Sequence, residues 1–189
     1  MTNASAVIVS DHLDLMPMTP AFLEAALRGD TSAAEEIVGL AVPSGWYEER
    51  GLMEMRLDQL RQDPALQPWL VRAMGLRGQG VLGSVPAMVG HIGFHTGPNP
   101  EYLHDLAPDA VELGYSVFPS YRRRGYAREA AQALMDWARR EHGISRFVVS
   151  ISPQNAPSLA LARGFGFQRI GSHMDEVDGP EDIFELRPS

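Results

Sequence analysis

The chain has 189 residues, 44% hydrophobic and 21% charged, and its 24 acidic against 16 basic residues give a formal net charge of -8. That balance argues against a basic nucleic-acid-binding surface and fits a soluble protein, with a secondary use in drawing in cationic amines. The absence of cysteine excludes disulfides, thiolate zinc sites and cysteine nucleophiles.

The first residues, MTNASAVIVSDHLDL, lack the basic start and long apolar run of a secretory leader. No stretch approaches the ~20 apolar residues of a membrane span, so a cytoplasmic protein without membrane contact is expected. Residues 12–18, HLDLMPM, alternate apolar and polar and predict a first strand. Thr19 as N-cap and Pro20 in the first helical position open a helix that ends near Gly29. TSAAEEIVGL predicts a second helix behind Thr31 or Ser32. WYEERGLMEMRLDQLRQDP predicts a third, interrupted at Gly51 and stopped before Pro64.

LQPWLVRAMGL and PAMVGHIGFHT predict two strands joined by the glycine-rich RGQGVLGSV, and residues 97–110 a loop rich in proline and acid. AVELGYSVF, residues 110–118, predicts a strand with Val111, Leu113, Tyr115 and Val117 on one face and Glu112, Gly114 and Ser116 on the other. Ala127, Ala130, Ala131, Leu134, Met135 and Ala138 then fall at helical spacing, with Gly143 as a left-handed end. RFVVSIS is a strand, and strand–helix–strand in this order predicts a parallel crossover. APSLALARGFG is a short helix with proline in its first turn. FQRIGSHMDEV and IFELRP form a final strand pair around DGPED. One α/β domain over residues 1–189 is expected.

Two patterns are set aside. GQGVLG, residues 78–83, has the G-x-G-x-x-G spacing, but a dinucleotide turn must open a helix, and here Pro86 and a strand follow. His91 and His95 on one strand would be roughly 13 Å apart at ~3.3 Å per residue, too far for one metal, so no metal site is expected.

The chemistry concentrates in FPSYRRRGYAREA. A strand ends at Phe118 and Pro119, a helix begins near Tyr126, and Gly125 permits the tight turn between them. The first N–H groups of a helix lack internal partners and, with the helix dipole, favour an anion. Arg122, Arg123 and Arg124 add positive charge, a combination suited to a pyrophosphate; a solvated basic turn is the competing explanation.

Arg122-x-x-Gly125-x-Ala127 at such a turn resembles the acyl-CoA signature Q/R-x-x-G-x-G/A of the GNAT superfamily of N-acetyltransferases. Asn155, Ser158, Leu161, Gly166 and Phe167 resemble that family's N-x-x-S/A-x-x-L/V-x-x-x-x-G-F segment, and Glu112-Leu-Gly-Tyr115 resembles the branch of ribosomal-protein N-terminal acetyltransferases. The resemblance implies an α/β fold with a mixed sheet of about six or seven strands, about four helices and a splayed parallel pair. It implies that backbone N–H groups of residues 123–127, Tyr126 and Ala127 among them, hold the pyrophosphate of acetyl-CoA or another short acyl-CoA. Pantetheine would run along the edge at Val117 and Phe118, with Asn155 bonding it and a backbone N–H near Val117 serving the oxyanion.

Glu112 is the implied base, against the alternative of a surface ion pair. Many family members have tyrosine after the Leu161 position as proton donor to the thiolate. Ala162 stands here; Ser158, Tyr126 or water are the candidate substitutes, Ser158 first among them, with a capping or cofactor contact as its other reading. Trp46 and Tyr47 are candidate acceptor-site residues, with core or interface as the other reading of Trp46, and the acidic run 174–182 is a candidate attractor for a cationic amine or simply a solvated turn. The expected partner is an amine: a protein N-terminus, an aminosugar or a polyamine. Oligomeric state, including a homodimer, stays open. A non-catalytic CoA-binding sensor or partner module is the alternative function.

Overall fold

A computed structural model describes residues 6–78, 85–175 and 179–187. The described residues up to Gly93 form one compact unit with Tyr115–Leu134; Phe94–Gly114 forms a second with the described residues from Met135 onward. Eight strands are present among the described residues: β1 (Ile8–Val9), β2 (Leu13–Pro17), β3 (Arg72–Leu76), β4 (Met88–Phe94), β5 (Val111–Val117), β6 (Phe147–Ile151), β7 (Gln168–Asp175) and β8 (Gly179–Leu186). Their order is β1-β2-β3-β4-β5-β6-β8-β7. The sheet is mixed, with β5 and β6 its parallel pair. β1 was not foreseen; two residues, paired with Leu15 and Asp14, are too few to carry a periodicity.

In the first unit, α1 (Pro20–Leu27) starts at Thr19, whose side chain accepts from the Phe22 N–H, and buries Phe22, Leu23, Ala25 and Ala26. α2 (Thr31–Val38) is capped by Asp30, one residue before the expected Thr31 or Ser32; its carboxylate accepts from the Ala33 N–H at 3.1 Å. The anticipated third helix is two. α3 (Ser44–Tyr47) and α4 (Arg50–Gln62) separate at Glu48 and Glu49, where the Glu49 backbone leaves the helical region, whereas Gly51 lies inside α4. Met53, Leu57 and Leu60, at helical spacing on α4, join Trp46, Phe22, Leu70, Met88 and Phe118 in one apolar core.

α5 (Tyr126–His142) begins in the first unit and ends in the second, with Gly143 at φ 69 after it. Of its expected stripe, Ala130, Ala131, Leu134, Met135 and Ala138 are buried and Ala127 is half-buried. In the second unit Leu103, Ala107, Ala110, Val148 and Ile183 make a smaller core. α6 (Ala156–Phe165) runs from its cap Asn155 to Gly166 at φ 90. β8 already begins at Gly179, so the described part of the expected DGPED turn is strand; residues 176–178 lie outside the described residues. So do residues 79–84, which hold most of GQGVLG.

β5 and β6 pair through only Val111 with Phe147 and Glu112 with Val148. From Leu113 onward β5 makes no ladder pair with β6, which is the short parallel contact expected of a splayed pair.

Candidate acyl-CoA site

The corner after β5 lies in the first unit. Phe118 is buried and its N–H donates to the Val89 carbonyl at 2.9 Å, so this N–H is committed to β4. That corrects the expectation that Phe118 offers its main chain to a ligand. A 3₁₀ turn, Pro119–Tyr121, follows, and Arg122 leaves it extended. Arg123 takes a left-handed backbone, φ 62, and Gly125 another, φ 86. For arginine that conformation costs about 1–2 kcal/mol; it is held here because the chain must reverse before α5.

The reversal leaves a row of donors. Among the described residues, no carbonyl or side-chain oxygen accepts from the N–H groups of Arg123, Arg124, Gly125, Tyr126 or Ala127. Five main-chain donors at the positive end of a 17-residue helix suit an anionic diphosphate. Gly125 has no atom within 4 Å of where a Cβ would project, so the corner is open on that side.

The three arginines are not equivalent. Arg122 Nε donates to the Val117 carbonyl at 2.9 Å. Arg124 donates to the Ser120 carbonyl at 3.3 Å and lies over the Tyr121 ring. Both brace the turn. Arg123 is exposed and carries its charge outward.

Glu112 belongs to the second unit and is not the surface glutamate of the alternative reading: it is 6% exposed. Its Oε1 accepts from Ser150 Oγ at 2.5 Å, its Oε2 lies 3.4 Å from His95 Nδ1, and Tyr102 also bonds it. Burial alone pushes its carboxyl up, but the bonds from His95, Ser150 and Tyr102 outweigh burial and hold it down at about 2. A carboxylate so well satisfied is a weak proton acceptor near neutral pH.

Sequence reasoning missed His95, Ser150 and Tyr102. Ser150 reaches Glu112 through the sheet: Glu112 pairs with Val148 in parallel register, and residue 150 returns to the same face. Tyr102 sits on a 3₁₀ turn, Glu101–Leu103, inside what reads as loop, and carries no sequence signal for this contact. His95 stands out in the sequence only by its spacing from His91, which points to no partner for Glu112. Gly114, read as ligand space or close packing, is small for a specific reason: a Cβ there would lie 2.7 Å from His95 Nε2.

On α6, Asn155 is exposed and its Oδ1 accepts from the Ser158 N–H at 3.2 Å, capping the helix. Ser158 is half-buried, and Ala162 is buried with no proton to give. Trp46 is fully buried, 6.0 Å from Phe22 and 5.3 Å from His91 between ring centroids. It is a core residue here and lines no acceptor surface, which corrects its expected role. The Tyr47 hydroxyl is also buried. His91 is enclosed by Trp46 and Phe118, and burial, aided by the Arg56 charge, lowers it to about 4. Among the described residues no group of three His, Cys, Asp or Glu side chains could hold a metal, and no helix is long and apolar enough to cross a membrane.

Comparison with known proteins bears on the family and the fold. The N-acetyltransferase YnaD of Bacillus subtilis, itself uncharacterized, is 30% identical over 91 residues, 48% of this chain and 49% of the relative. The chain spans about half the length of the curated relatives it matches. An acetyl transferase from Salmonella typhimurium that modifies the N-terminal serine of the 50S ribosomal subunit protein L7/L12 has the same fold. Its TM-score is 0.60 at 17% identity, covering 97% of this chain and 100% of that one. The microcin C7 self-immunity acetyltransferase MccE, solved with acetyl-CoA and AMP, matches at TM-score 0.60 and 14% identity over 98% of both chains. The family model for the acetyltransferase (GNAT) domain matches residues 12–168, and the chain belongs to that family.

Proposed function

We propose that the protein is an acyl-CoA-dependent N-acyltransferase that moves an acetyl group from acetyl-CoA to a primary amine by direct attack. The observation that carries this is the corner of five unengaged N–H groups at residues 123–127, in a chain of the acetyltransferase family. These donors, with Arg123, hold the pyrophosphate. Arg122 and Arg124 keep the corner in shape. The pantetheine arm bonds to β5 beyond Glu112, where the strand has no ladder partner in β6, and the Val117 N–H serves the oxyanion. Asn155, whose Oδ1 is used by the cap, contributes its amide NH2 to the cofactor. Ser158 supplies the proton for the departing thiolate in place of the side chain that Ala162 lacks.

Glu112 acts in this reaction as a fixed negative charge, since its bonds keep it ionised. A protein N-terminus is the favoured acceptor class: its reference pKa of ~8, against ~10.4 for lysine, gives more neutral amine at neutral pH, and the net charge of -8 favours approach of a cation. Aminosugars and polyamines are the other classes to assay.

The experiment is a thiol-release assay with acetyl-CoA and a panel of Ser- and Ala-initiated peptides, glucosamine and spermidine, beside a thermal-shift titration with acetyl-CoA. Saturable protection with amine-dependent thiol release is expected. Protection without release would make the chain a CoA-binding module, the reading that the buried Ala162 favours; neither would remove the corner's assigned role.

A further inference from the structure

Within the second unit, Glu112 and His95 are joined twice. The His95 N–H donates to the Glu112 carbonyl at 2.8 Å, and His95 Nδ1 lies 3.4 Å from Glu112 Oε2. The two side chains differ in access. Glu112 is 6% exposed, with Oε1 engaged by Ser150; the His95 side chain is 41% exposed. The ring also has a direction. Nδ1 faces the carboxylate, and Nε2 lies over Gly114, 2.7 Å from where a Cβ would sit. The imidazole therefore spans β5 from Glu112 to Gly114, along the face that continues to Ser116. A side chain on residue 114 would displace it.

We propose that His95 is the residue that takes the proton from the incoming amine, and that Glu112 is a positioning residue that fixes its ring and tautomer. This rests on the acyltransferase reading above. An ionised Glu112 accepts Nδ1–H, which places the imidazole lone pair on Nε2. The buried carboxylate does not meet the acceptor; the half-exposed ring does. The acceptor ammonium gives one proton to Nε2. The neutral amine then forms the N–C bond at the thioester carbonyl, whose π pair moves to oxygen and returns as the C–S bond breaks with its pair on sulfur. Ser158 gives its hydroxyl proton to the thiolate and regains one from the nitrogen, which so loses its second proton. The products are an amide, free CoA thiol and one proton, which His95 releases to solvent. The titratable groups near the pair are Tyr102, which bonds Glu112, and no charged residue of β6, which contributes Ser150. Glu185 on β8 is tied to Arg146 and Arg187.

The test compares wild type, His95→Gln, His95→Ala and Glu112→Gln with whichever amine of the panel turns over fastest. Both His95 variants should lose about 100-fold or more in kcat/KM and lose the acid limb of its pH profile, while acetyl-CoA affinity stays near wild type. His95→Gln, whose amide can still donate to Glu112, should keep its thermal midpoint, and His95→Ala, which leaves the buried carboxylate one donor short, should lower it. Glu112→Gln keeps an acceptor for Nδ1–H, so its loss should be smaller and its acid limb shifted. Wild-type turnover with an intact acid limb in His95→Gln overturns the proposal. A readout apart from activity is long-range 1H–15N NMR of the His95 ring. The Nδ1–H tautomer is expected in wild type and a mixture in Glu112→Gln; an Nε2–H tautomer in wild type overturns the assignment even should His95→Ala fail to fold. No thiol release with any amine would instead remove the acyltransferase reading, and this one with it.

Discussion

The Arg122 guanidinium turns back on the strand that precedes it and donates from Nε to the Val117 carbonyl at 2.9 Å. An arginine that the motif reads as a phosphate ligand is thus bonded to the end of β5, and its main influence on acyl-CoA runs through the shape of the corner. Arg122→Ala should weaken CoA binding by no more than about tenfold, since one exposed hydrogen bond contributes about 0.5–1.5 kcal/mol. Arg122→Lys should not restore it, because an ammonium lacks the planar fork. Calorimetric titration with CoA decides this; a thousandfold loss would make Arg122 a direct ligand.

Arg123 offers the opposite case. Its backbone is left-handed, φ 62, and its side chain is exposed. Arg123→Gly relieves about 1 kcal/mol of strain and adds back a similar entropy cost in the unfolded chain. Folding stability should therefore change by less than about 0.5 kcal/mol, within the range of a surface substitution. CoA affinity should fall several-fold at low salt, and the gap should close as salt screens the lost charge. Urea unfolding and titrations at two ionic strengths check both halves.

Gly125 separates geometry from charge. Its φ of 86 strains any side chain, although no atom lies within 4 Å of a Cβ. Gly125→Ala should cost about 1 kcal/mol of stability and keep measurable CoA binding. Gly125→Glu should cost a similar amount in stability and abolish binding, because its carboxylate would stand where the pyrophosphate is proposed to sit. Equal affinity in the two variants would remove the anion from this corner.

The parts of this structure legible in the sequence are those with a local physical cause. The α5 stripe, the Thr19 cap, the Gly143 end and the turn through Gly125 all follow from residues within a few positions of one another. The α2 cap slipped because Asp30, Thr31 and Ser32 are all good caps and only the backbone of Asp30 chooses among them. Trp46 lies in the core, the commoner reading of a tryptophan, and its neighbours in sequence do not decide between rim and core. The Glu112 setting was illegible for a different reason. Ser150 is 38 residues away, and whether a strand glutamate is solvated or enclosed depends on which strands flank it. The family resemblance points to Glu112 without its partners, and only its bonds to His95 and Ser150 show the carboxylate engaged.

Arg72 tests a buried charge that no motif announced. It is 1% exposed, and burial lowers its guanidinium to about 10, so it stays charged at neutral pH. Its Nη1 donates to the carbonyls of Ala6 and Leu15, its Nη2 to that of Pro68. Arg72→Met keeps much of the volume and leaves those acceptors without their donors. A loss of about 3 kcal/mol or more is expected, comparable to breaking a buried charged network. A neutral result in chemical denaturation would mean that the apolar replacement compensates.

Glu112 also leaves a signature in stability against pH. Its folded value, about 2, lies below the ordinary 4.5, so the native state binds this proton less readily than the unfolded chain does. The associated stabilisation is present in full above the unfolded value and is lost as pH falls toward 2. Glu112→Gln has no such charge to lose. At pH 7 the variant should be the less stable of the two. Below pH 4.5 the difference should shrink at up to about 1.4 kcal/mol per pH unit. Urea unfolding of both proteins at pH 7, 5 and 3.5 measures it. A gap that stays constant across that window would mean that His95 and Ser150 do not hold the carboxylate ionised, and the positioning role given to Glu112 would lose its physical basis.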